Sequence, residues 1–72
     1  MDTKKYLGFR KLTSHLHFHT AMIERTVILA FQDAELIGSG RIEALNEGEE
    51  EDVVVIGGEN YTKRNCTFVY AR

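Results

Sequence analysis

Thr26-Val27-Ile28-Leu29-Ala30-Phe31-Gln32-Asp33-Ala34-Glu35-Leu36-Ile37-Gly38-Ser39-Gly40-Arg41-Ile42-Glu43-Ala44 is the stretch that decides the fold class. Its first seven residues are rich in β-branched and aromatic side chains, which suit a pleated, half-buried surface. Asp33-Ala34 lies where the chain should reverse, so the stretch predicts a β-hairpin. In the second arm, alternation puts Leu36, Gly38, Gly40, Ile42 and Ala44 on one face. Two of those positions lack a side chain, as expected where a strand bends or another backbone comes close. Sharp curvature of this kind is what a small barrel requires.

Downstream, Glu47-Gly48-Glu49-Glu50-Glu51-Asp52 is a crowded acidic run whose repulsion is best relieved in a solvated loop. It lacks the alternating ligand spacing and the following Glu of an EF-hand loop, so hard-cation binding is the minor reading there. Val53-Val54-Val55-Ile56 is apolar on both faces and predicts a strand buried between core and neighbour. Gly57-Gly58 supplies a turn, and residues 60–64 and 67–71 make two further short strands meeting near Asn65-Cys66. Tyr61, Phe68 and Tyr70 bring aromatic mass to them. The count is about five strands.

Upstream, Thr3 to Ile23 supports two readings. Tyr6, Phe9, Leu12, Leu16, His19 and Ile23 recur at three- and four-residue steps, the spacing of one face of an amphipathic helix. Leu12 to His19 also alternates, as in a half-buried strand. A helix over all or part of residues 3–23 is the preferred reading, with an extended segment as the other.

The 72 residues allow one domain, residues 1–72, with a core that self-association would help to stabilise. The single Cys66 closes no disulfide within the chain and makes no zinc-ribbon pair. No apolar run nears the roughly 20 residues of a membrane-spanning helix. A soluble, cytoplasmic protein with no membrane partner is expected. The net charge of −2 hides a segregation. Five cations face two acids over residues 1–25, nine acids face Arg41 over 26–59, and Lys63, Arg64 and Arg72 stand against no acid over 60–72. Basic ends around an acidic middle keep nucleic acid in view while arguing against strong nonspecific binding.

Taken together, the strand segments resemble the Sm-like (Sm, LSm and Hfq) small β-barrel family. Its members have an N-terminal helix, a three-strand segment centred on a glycine-containing second strand, and a two-strand segment. Val27 to Ile56 resembles the first segment, with Asp33 at the turn, Gly40-Arg41-Ile42 in the second strand and Leu45-Asn46 where members often carry an apolar or aromatic residue followed by Asp. Arg64-Asn65-Cys66-Thr67-Phe68-Val69-Tyr70 resembles the second. The chain departs from the pattern at Ala34, where a turn Gly is usual, at Asn65, where Gly follows Arg, and in its acidic loop. The resemblance implies a mostly β fold with an N-terminal helix, a five-stranded Sm-like or SH3-like barrel. It also implies a ring-forming homo-oligomer binding single-stranded RNA. Arg64 and Asn65 are the best-matched RNA contacts, with Asn46 and Tyr61 as further candidates.

His15-Leu16-His17-Phe18-His19 puts three imidazoles on one side of a strand, or puts His15 and His19 one turn apart on a helix. Either geometry can chelate zinc, copper or nickel, although surface or packing roles are commoner. Catalysis has little support. No Gly-rich phosphate loop or nucleophile elbow is present, and Cys66 has no local His to activate it. The expected protein is not an enzyme and carries no cofactor. An Sm-like RNA-binding protein leads, a small β-barrel protein-interaction module without nucleic-acid binding is the alternative, and a histidine metal-binding module comes third.

Overall fold

Ser14 starts the helix. In the computed structural model, which describes residues 10–48 and 51–71, its side chain accepts from the His17 backbone N–H at 3.3 Å, while its own N–H donates to His17 Nδ1 at 3.3 Å. This reciprocal capping box satisfies donors that a bare helix end would leave unpaired. Helix α1 runs His15–Glu24 and ends at Arg25 in the left-handed region, with the N–H groups of Arg25 and Thr26 returning to the carbonyls of Met22 and Ala21. The helical reading of His15 to Ile23 therefore holds, and the strand alternation does not. The expected apolar face is corrected. Leu16 and Ile23 are exposed, and Phe18 and Ala21 are the buried residues, with Met22 packed beside them. Leu12 is buried, but it lies before the helix in extended chain, so counting it into the helical period rotated the face. Residues 3–9 of the expected helix lie outside the described residues.

Five strands follow, β1 (Val27–Gln32), β2 (Glu35–Glu47), β3 (Asp52–Ile56), β4 (Glu59–Thr62) and β5 (Thr67–Tyr70). All pair antiparallel in one sheet of order β4-β3-β2-β1-β5, which with α1 makes the described residues a mostly β fold with one helix. The first half of β2 pairs with β1 and its second half with β3, so one 13-residue strand belongs to two halves of the sheet. Two irregularities bend it. Between the Phe31–Leu36 and Ala30–Gly38 pairs, Ile37 is an extra residue, and between the Ile42–Ile56 and Ala44–Val55 pairs, Glu43 is another. These bulges correct the expected five-residue face. Gly38, Gly40 and Ile42 stay on the core side, Leu36 packs instead with Leu29, Phe31 and Val69, and Leu45 replaces Ala44 against the core.

The principal core joins Leu12, Phe18 and Ala21 to Ile28, Ala30, Ile42, Val54, Ile56 and Phe68. Phe68 meets Phe18 edge to face at 5.4 Å between centroids. Truncating such a residue to Ala costs about 3–5 kcal/mol, a large part of what holds a small domain together.

The sheet curls back on itself. In hydrogen-bonding order β3 separates β4 from β2, yet the Tyr61 ring of β4 lies over Gly38 of β2. A Cβ at Gly38 would fall within 2.7 Å of the ring's Cζ. β4 and β5 do not pair with each other. The outer edge of β5 is covered instead by residues 10–12. Leu12 N–H donates to the Phe68 carbonyl and Tyr70 N–H donates to the Arg10 carbonyl, both at 2.9 Å. Among the described residues, no helix is long and apolar enough to cross a membrane.

Candidate functional site

Three of the four residues expected to contact RNA come to one end of the sheet. Asn46 pairs with Val53, which pairs with Thr62. On the next rung Glu47 pairs with Asp52, whose carbonyl accepts from Lys63 N–H at 2.9 Å. Arg64 and Asn65 follow directly in the β4–β5 turn, closed by Asn65 N–H donating to the Thr62 carbonyl at 3.1 Å. The end of β2 and the β4–β5 turn therefore lie at the same end of the sheet with β3 between them, although 18 positions separate Asn46 from Arg64 in the chain.

The Arg64 side chain is 70% exposed, and among the described residues it is paired with Glu51, at 3.8 Å. An exposed pair at that separation contributes on the order of 0–1 kcal/mol, so the guanidinium gives it up at little cost. Asn65 and Asn46 are exposed as well. Lys63 is engaged differently, with its ammonium 4.2 Å from the Phe18 ring centroid, where it ties the turn to α1. Tyr61 is half-buried and faces the core, lying over Gly38 and edge-on to Phe68 at 6.5 Å. Cys66 sits half-buried beside the core, and burial pushes its thiol up, away from the thiolate a nucleophile needs.

The histidines separate. His17 Nδ1 accepts from the Thr13 N–H at 2.9 Å and from Ser14, so this ring serves the helix cap. His15 and His19 meet edge to face one turn apart, 4.3 Å between centroids, and His15 Nδ1 is paired with a Glu47 carboxylate oxygen. Sequence reasoning missed Glu47 as their neighbour, because only the folded sheet carries the end of β2 to α1. It also missed an open groove beside the Gly57-Gly58 turn, where Arg25 and Arg41 meet Met22, Val27 and Ile42.

Comparison with protein-family models, with curated proteins and with solved structures finds no match to this chain. The functional reading therefore rests on the residues themselves.

Proposed function

We propose that this chain is an Sm-like small β-barrel protein that binds single-stranded RNA along a ring of like subunits, with Arg64 and Asn65 as the principal contacts and Asn46 beside them. The observation that carries this reading is that Asn46, Arg64 and Asn65 share one end of a curled five-stranded sheet. A helix followed by three strands and then two agrees with it. In this reading the Arg64 guanidinium meets phosphate or stacks on a base, and the carboxamides of Asn65 and Asn46 offer both donors and acceptors to base edges. Tyr61 acts as the wall that holds β4 against β2, and stacking falls to Arg64. One guanidinium per subunit on an acidic protein gives weak binding. Repetition around a ring multiplies it.

A protein-interaction module is the second reading, favoured by the cover over β5. A chain that lays residues 10–12 along that edge leaves β4 as the free edge among the described strands, suited to adding a strand from a partner. The native mass in chelator-containing buffer at moderate salt separates the two. A discrete species of about five to seven subunits is expected for ring closure by paired edges. A clean monomer contradicts the ring and moves the assignment to the interaction module.

A further inference from the structure

We propose that His15, His19 and Glu47 form a binding site for a divalent transition-metal ion, zinc foremost, that fastens α1 to the end of β2. The site stands independently of the RNA reading. One ligand atom from each of these three residues lies within 4.8 Å of the others. Tetrahedral zinc, with bonds of roughly 2.0–2.1 Å, sets its ligand atoms roughly 3.3 Å apart, so small side-chain rotations close the site. Those rotations meet little opposition, because the His15 and Glu47 side chains are 53% and 43% exposed. The ion takes the place of the direct His15–Glu47 pair.

Two imidazoles and one carboxylate suit zinc, nickel, cobalt and copper, whereas calcium and magnesium prefer oxygen ligands throughout. The two histidines come from successive turns of a capped helix and the carboxylate from a strand end, so their backbones are fixed before the ion arrives. Three protein ligands leave a fourth position for water or for a donor from a bound molecule.

His17 stays outside despite its place in the histidine run. With Nδ1 accepting from the amides of Thr13 and Ser14, the proton of the neutral ring sits on Nε2, and neither nitrogen has a lone pair left for a metal.

The test is calorimetric titration of the untagged full chain with zinc chloride. His19→Gln and Glu47→Gln serve as ligand variants and His17→Gln as the control, since Gln at that position keeps the capping box. One zinc per chain is expected for the wild type, with affinity reduced tenfold or more in H19Q and E47Q and within threefold of wild type in H17Q. Visible spectra of the cobalt-loaded wild type should show tetrahedral coordination, and far-ultraviolet circular dichroism verifies the helix in each variant. Absence of zinc uptake, unchanged affinity in a folded E47Q, or equal losses in H17Q and H19Q would each overturn the proposal.

Discussion

Ala34 carries a cost that a single substitution can remove. It follows Asp33 in the two-residue turn between β1 and β2, and both residues have positive φ, 52° and 66°. That is the pattern of a type I′ hairpin turn, which matches the twist of the flanking strands but crowds a Cβ. The β3–β4 turn has the same signs at Gly57 and Gly58, φ 59° and 80°, without that crowding. Relief of the Ala34 strain outweighs the extra freedom glycine gives the unfolded chain, for a net gain of about 1 kcal/mol. Ala34→Gly should therefore raise the melting temperature by about 4–8 °C, read by circular dichroism. An unchanged or lower value would show that the turn carries no such strain.

At the scale of the element, α1 depends on its cap. Ten residues are too few for an independent helix, so the capping box and the burial of Phe18 and Ala21 hold it together. Ser14→Ala should cost about 1 kcal/mol in a denaturant titration, and His17→Gln much less. Equal losses would mean that the imidazole itself matters. The elements that sequence reading located best are those bounded by local chemistry, such as β3 between an acidic run and Gly57-Gly58. The face of β2 was legible only in its middle, at Gly38, Gly40 and Ile42. On either side the bulges at Ile37 and Glu43 shift it, and they show only in the pairing with β1 and β3. The helix was legible as a helix and misread in orientation, because Leu12 fits the helical spacing while lying in extended chain. The resemblance singles out Arg64 and Asn65, and the fold puts both in the turn after β4, which ends at Thr62 and not at Arg64. The approach of Glu47 to His15 and His19 could not be read, since it depends on tertiary structure.

For the whole molecule the decisive feature is the edge of β5. Residues 10–12 occupy it, so joining the β5 of one copy to the β4 of the next requires that segment to move. Hydrogen exchange reports the change. In a monomer the amides of both Leu12 and Tyr70 are protected, whereas in such a ring Leu12 exchanges freely and Tyr70 stays protected by the neighbouring strand. Protection of Leu12 in an assembled species would place the contact between copies elsewhere. The central claim, recognition of single-stranded RNA at the end of the sheet carrying Arg64, meets its most direct test in a fluorescence-anisotropy titration. A labelled single-stranded RNA is titrated with wild type and with Arg64→Ala at one fixed salt concentration. Saturable binding by the wild type that falls at least tenfold in folded R64A is the predicted result. Absence of binding by the wild type, or equal binding by both proteins, would contradict it.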